Sequence, residues 1–207
     1  MKPNRSAAVV QQRHTPAKDL DYFPTPPWAT RALLKEYPLS GSIWEPACGE
    51  GWMAETLKET NSDVFASDIF NYGYGSVIDF LATHRECDWV VTNPPFNLAE
   101  EFIKHSLEVA SKGCAMLCRL SLLESKGRYE RLFSINPPTT VLVFSERVPM
   151  FDKYIDLDGA SAMSTAWFIW DKQQSKTSNL RWIPSYRKEL TTKGDYERVQ
   201  QWNKWIG

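Results

Sequence analysis

Two short apolar runs, each halted by a loop of distinctive backbone chemistry, constrain the fold of this chain more than anything else in it. Asp88-Trp89-Val90-Val91-Thr92 is almost continuously apolar and stops at Asn93-Pro94-Pro95-Phe96. A run without polar alternation suits a strand covered on both faces of a sheet. Two prolines then end it, because proline brings no N–H to a neighbouring strand. Residues 42–47 read as a second strand, leading into the acidic turn Glu45-Pro46-Ala47-Cys48-Gly49-Glu50-Gly51. Two strands of one sheet would therefore each end in a loop shaped for a ligand.

The rest of the chain fits around that pair. Trp28, Ala32, Leu33 and Leu34 have helical spacing over residues 28–37, with Pro27 suited to the first turn. Helices are expected over 52–60, over 98–111, where Phe102, Ile103, Leu107 and Ala110 share one side, and over 126–133. Further strands fall at 63–69, 115–120, 140–144 and 165–170, the last two rich in β-branched or aromatic residues. Strand–helix alternation, then two late strands with no helix between them, predicts an α/β fold with a mostly parallel sheet and an antiparallel terminal strand. Residues 145–163 read as a polar loop, long for a hairpin connection, and long loops in compact domains are often functional.

At 207 residues the chain suits one main domain. The parts expected are a flexible arm at 1–18, a catalytic domain at 19–172 and an extension at 173–207. Charge is unevenly spread. Residues 1–18 hold four basic and no acidic side chains, residues 172–207 eight basic and three acidic, and the remainder 12 basic and 22 acidic. Basic ends can neutralise nucleic-acid phosphates, or simply serve as solvated tails. Trp182, Tyr186, Trp202 and Trp205 are interleaved in the second end, and Trp182 fits a core anchor. No apolar segment reaches membrane-spanning length and no secretory signal stands at the start, so a cytoplasmic location, in a bacterial or phage-infected cell, is expected. Cys48, Cys87, Cys114 and Cys118 form no Cys-x-x-Cys pair, which argues for reduced thiols and against a zinc site.

Ligands of open parallel sheets bind beyond the carboxyl ends of the strands. Gly49 and Gly51 would let backbone approach a cofactor closely. Glu45 stands at the tip of one strand, Asp68 at the end of the next, near the spacing of an acid that holds ribose hydroxyls, and Asp79 follows. Acids around the turn disfavour a pyrophosphate. They favour a cofactor carrying sulfonium and ammonium groups, as S-adenosylmethionine does. At the other loop, the Asn93 side-chain carbonyl and the Pro94 backbone carbonyl can accept hydrogen bonds from an amino group conjugated to a ring, whose lone pair is otherwise delocalised. The prolines Pro94 and Pro95 stiffen the loop, and Phe96 can stack on a base. Such catalysis works by positioning and electrostatics.

These motifs together resemble the class I, Rossmann-like adenine-N6 DNA methyltransferases, and among them most closely the small phage or prophage type. Asn93-Pro94-Pro95-Phe96 is similar to their catalytic motif, and residues 45–51 to their cofactor motif. Phe23-Pro24-Thr25-Pro26-Pro27 looks like the segment lying across the methionine end of the cofactor, and Asp79-Phe80 like the pair holding its adenine. Their order along the chain is that of the gamma arrangement. The resemblance covers roughly residues 20–172. It implies the three-layer methyltransferase fold, S-adenosylmethionine as cofactor, and adenine flipped out of double-stranded DNA as substrate. It assigns Phe23, Thr25, Pro26, Ala47, Cys48, Ile69 and Phe80 to the cofactor, beside Glu45, Gly49, Gly51, Asp68, Asp79 and Asn93. Similar loops occur in enzymes methylating protein glutamine amides and guanine amino groups in RNA, so those substrates remain alternatives, as does a non-catalytic cofactor-binding module. Larger relatives carry a target-recognition domain. Here residues 145–163 are expected to take that part, with Arg147 and Lys153 meeting phosphate or guanine and Phe151 or Tyr154 filling the gap left by a flipped base.

Overall fold

The computed structural model describes residues 22–159, 162–175 and 177–205. The arm expected at residues 1–18 lies outside them. Eight strands form one sheet: β1 (Ile43–Glu45), β2 (Val64–Asp68), β3 (Ser76–Val77), β4 (Cys87–Thr92), β5 (Ala110–Arg119), β6 (Thr140–Phe144), β7 (Thr165–Asp171) and β8 (Asn179–Ile183). Their order is β3-β2-β1-β4-β5-β7-β6-β8. Strands β3, β2, β1, β4 and β5 pair in parallel, β7 is antiparallel to both β5 and β6, and β8 is parallel to β6. The antiparallel strand thus exists, but it lies inside the sheet rather than at its edge. β6 and β7 form a hairpin, and β7 inserts between β5 and β6. The edge belongs to β8, drawn from the segment the sequence reading set aside as an extension.

Helices α1 (Pro27–Glu36), α2 (Trp52–Lys58) and α3 (Ala99–Val109) supply the outer layers. α1 begins where Pro27 needs no backbone donor. The strands alternate between two cores, as a period of two requires. Trp89, Val91, Ala115, Leu117, Trp167 and Ile169 face Trp28, Leu33, Met53 and Leu57 of the first two helices. Val90, Cys114, Met116, Cys118 and Phe168 face Phe102 and Ile103 of α3. Two buried indoles are hydrogen-bonded: Trp167 donates across layers to the Ala29 carbonyl at 3.0 Å, and Trp44 to Ser67 Oγ on the next strand at 2.8 Å. Short α4 (Lys126–Arg128) winds on as a π-helical turn over Tyr129–Phe133.

The C-terminal segment is woven into this body. α5 (Arg187–Leu190) and α6 (Lys193–Trp205) follow β8. Arg31 of α1 donates to both oxygens of buried Asp195 at 2.7 and 2.9 Å and to Glu59 at 2.6 and 2.7 Å. Fork-to-carboxylate pairing of this kind is strong as well as directional. Trp182, expected as a core anchor, is instead 61% exposed on β8, because its alternate neighbours Arg181 and Ile183 face α1 and the core. The four cysteines are buried and free. Among the described residues no helix is long and apolar enough to cross a membrane, and no cluster of metal-ligating side chains occurs.

Candidate active site at the strand ends

A cavity of about 260 Å³ opens beyond the carboxyl ends of β1, β2 and β4. One wall is the turn after β1. Gly49 (φ 49°) and Gly51 (φ 79°) hold left-handed backbone, and an added Cβ would come within 2.3 Å of the Tyr22 ring and 2.5 Å of the Tyr74 ring respectively. The turn is tied to the next strand. Gly49 N–H donates to Asp68 Oδ2 at 2.9 Å and Cys48 N–H to the Ser67 carbonyl at 3.0 Å. Asp68 Oδ1 accepts from Phe70 N–H at 3.0 Å. Asp68 therefore shapes the turn in addition to facing the cavity, a task its spacing alone did not reveal.

The wall is acidic and holds its protons tightly. Glu45 is 2% exposed, and its Oε2 has no hydrogen-bond partner. Burial, then the nearby Asp68, push its pKa well above the usual carboxylate range. Burial also raises Asp68, and lifts Glu50, next to the wall but not part of the lining, to about 7. A cationic ligand would relieve these groups, and an anionic one would not.

The opposite wall is the loop after β4. Asn93 Nδ2 donates to the Phe23 carbonyl at 2.7 Å, which fixes the amide plane. Its Oδ1 is buried with no partner. A buried acceptor without a donor is costly in an otherwise satisfied interior, and such sites invite a ligand. Phe96 lies beside the cavity, 5.2 Å from the Phe23 ring, with the Arg119 guanidinium 4.2 Å from its centroid. Arg119 ends β5, next to β4 in the sheet.

Of the residues singled out from sequence, Phe23, Thr25, Glu45, Ala47, Cys48, Asp68, Ile69, Asp79, Phe80, Asn93 and Pro95 line this one cavity. Asp79 also caps the short helix Phe80–Ala82 by accepting from Leu81 N–H at 3.0 Å. Phe80 is largely a core residue, edge-on to Trp44 at 4.9 Å. Ile69, 52% exposed, forms part of an apolar rim with Phe70 and Leu81. Pro26, Gly49, Gly51, Pro94 and Phe96 stand behind or beside the lining. Sequence reasoning missed Tyr22, Trp52, Met53, Tyr72, Leu98 and Phe102 as cavity walls. Tyr22 stacks on Tyr72 at 4.9 Å, a contact between distant segments with no local pattern to announce it.

Arg147, Phe151, Lys153 and Tyr154 do not line the cavity. Phe151 and Tyr154 stack on each other at 4.8 Å, and Arg147, Lys153 and Tyr154 are exposed. Their loop is not simply polar. Val148 and Met150 join one core, while Ile155 and Leu157 pack against Trp52. Lys153 N–H, from a left-handed residue (φ 65°), donates to the Tyr22 carbonyl at 2.9 Å.

No protein-family model matches the chain. It is 28% identical over 131 residues to the type II methyltransferase M.TthHB8I of Thermus thermophilus, a stretch covering 56% of this chain and 28% of that protein. Among solved structures it superposes on a protein described as the modification subunit of a type I restriction enzyme of Vibrio vulnificus, with TM-score 0.60 and 14% identity, over 91% of this chain and 54% of that one. It also superposes on a protein described as a class I S-adenosylmethionine-dependent methyltransferase of Listeria monocytogenes, with TM-score 0.50 and 14% identity, over 84% and 67%. The chain has the Rossmann-like fold these structures share.

Proposed function

We propose that this chain is an S-adenosylmethionine-dependent methyltransferase that modifies the exocyclic N6 of adenine in DNA. The observation that carries the reading is the orphaned Asn93 Oδ1, oriented by Phe23 at one end of a cavity whose other end is acidic. The similarity to a type II methyltransferase supports the reaction class and favours DNA as substrate.

The residues fit the cofactor. Glu45, proton-holding and with an orphaned Oε2, and its neighbours suit a ligand with ammonium and sulfonium charges, the two left-handed glycines let Tyr22 and Tyr74 pack against the turn, and Ile69, Phe70 and Leu81 offer an apolar rim for a purine. When bound, S-adenosylmethionine supplies an electrophilic methyl group. The chain's part is to prepare the amine. Asn93 Oδ1 accepts one N–H and the Pro94 carbonyl the other, drawing nitrogen toward sp³ geometry so that its lone pair is available. Because the amide is already fixed by Phe23, little reorganisation is needed as charge develops. Phe96 offers its ring to an adenine flipped from the duplex, and the proton leaves to water afterwards. Target choice falls to residues 145–163, with Arg147 and Lys153 at phosphate or guanine, which suits a short or loosely defined site.

Incubation with labelled cofactor and DNA, RNA and protein side by side, followed by nucleoside analysis, tests the proposal. N6-methyladenine in DNA is expected. N4-methylcytosine, or label in RNA or protein alone, overturns the substrate; cofactor binding without transfer to any of them overturns the chemistry.

A further inference from the structure

We propose that Arg198, on the C-terminal helix α6, is a positioning residue for the cofactor turn, holding Glu50 and Trp52 in place from behind. The inference rests on the cofactor reading above. Trp52 follows Gly51, is 3% exposed and forms part of the cavity wall. Its indole N–H has no hydrogen-bond partner, so no polar anchor sets the ring. Packing sets it instead. Ile155 and Leu157 of the long loop, with Val199 and Trp202 of α6, enclose it. The Arg198 guanidinium lies over the ring, 4.1 Å from its centroid. Its Nη2 also donates to the Glu50 carbonyl at 3.3 Å.

That carbonyl belongs to the residue between the two left-handed glycines. Glycines allow the backbone to wander, and an external clamp offsets this. Arg198 is half-buried and is not ion-paired to any carboxylate among the described residues. Burial opposes its charge, Glu55, Asp195 and Glu45 favour it only from beyond ion-pairing distance, and its direct contacts are the aromatic face and the carbonyl. Arg31 fixes the start of α6 through Asp195, so the clamp approaches from a fixed direction. A second cavity of about 220 Å³, lined by Glu50, Trp52, Arg198, Gln201 and Trp202, lies at this contact, and of those residues Arg198 is the one with a hydrogen bond to the turn backbone.

The test is calorimetric titration of wild type, Arg198→Met and Arg198→Lys with S-adenosylmethionine, alongside thermal unfolding without ligand and steady-state kinetics. Arg198→Met is expected to bind about tenfold more weakly, with the cofactor KM raised to match, kcat within about twofold and unfolding little changed. Arg198→Lys keeps a charge over the ring and should recover part of the loss. Wild-type affinity in Arg198→Met overturns the inference. So does a loss that follows a fall in unfolding temperature and is not recovered by lysine, which would make the residue merely structural. Wild type that binds no S-adenosylmethionine overturns the cofactor reading and this inference together. Binding without methyl transfer overturns the reaction alone and leaves the calorimetric comparison valid.

Discussion

The turn after β1 and the loop after β4 occupy equivalent places, at the carboxyl ends of adjacent parallel strands, yet their backbones are opposites. The first carries glycines at 49 and 51, and its N–H groups are spent on Asp68 and on the Cys48 carbonyl. The second carries prolines at 94 and 95, which have no N–H to spend, and is held by one side-chain amide on the Phe23 carbonyl. The difference separates two kinds of recognition. Glycines let the turn bend sharply under the Tyr22 and Tyr74 rings and bring buried acid to the cavity. Prolines leave a rigid edge on which only acceptors remain, suited to an amino group that must donate. In the function proposed above, charge at the first loop selects the cofactor and the acceptors at the second select the amine.

The sharpest way to break this comparison is at Asn93. Asn93→Ala should lower kcat about 10²–10³-fold while calorimetry finds cofactor affinity nearly unchanged; a matching loss of both would mean that the two loops do not divide the work. Gly51→Ala should act on the other side. A left-handed non-glycine residue costs about 1–3 kcal/mol, and the Tyr74 ring must also shift, so cofactor affinity should fall about thirtyfold with kcat at saturation preserved. Phe96→Ala should raise the KM for DNA about tenfold, since aromatic–base stacking is worth roughly 1–3 kcal/mol and Arg119 and Phe23 remain to shape the site. Unchanged KM would remove Phe96 from base binding.

The smallest effect concerns protons. Glu50, lifted to about 7 by burial, keeps in the folded state a proton that the unfolded chain releases in the ordinary carboxylate range. Below that range both states are protonated and nothing is lost. From there up to about 7 the unfolded chain has released the proton and the folded one has not, so stability without ligand falls as pH rises and levels off above about 7. Binding of a cationic cofactor should show the opposite slope, tightening a few-fold from about pH 6 to about pH 8. The uncharged thioether product should respond less. Equal slopes for both ligands would show that the acids do not sense the sulfonium.

Local chemistry made the two loops legible. Prolines, glycines and acids declare themselves at single positions, and the apolar run at Trp89 to Val91 declares a doubly covered strand. What sequence left hidden depends on distant segments meeting. Trp52 reads as an ordinary helix residue until Ile155, Leu157 and α6 surround it. The insertion of β7 between β5 and β6 is set by a hairpin folding back, and no residue in either strand specifies it. β8 has the alternation of a strand, but Leu180 and Trp182 stay exposed, so basic residues around them made it look like a tail.

The hairpin has one further consequence. Because β6 and β7 are hydrogen-bonded neighbours, with Val143 opposite Ala166, the long loop between them leaves and re-enters the sheet at almost one point. Its length can therefore change at small cost in closure entropy and without moving any strand. Val148 and Met150 near one foot, and Ile155 and Leu157 farther along, act as sockets, while Arg147, Lys153 and Tyr154 are among the exposed positions between and beside them. Arg147 and Tyr154 can therefore be exchanged for other side chains without moving the Asn93 loop so long as the sockets are kept, whereas Lys153, left-handed and bonded through its N–H to the Tyr22 carbonyl, is less free to change.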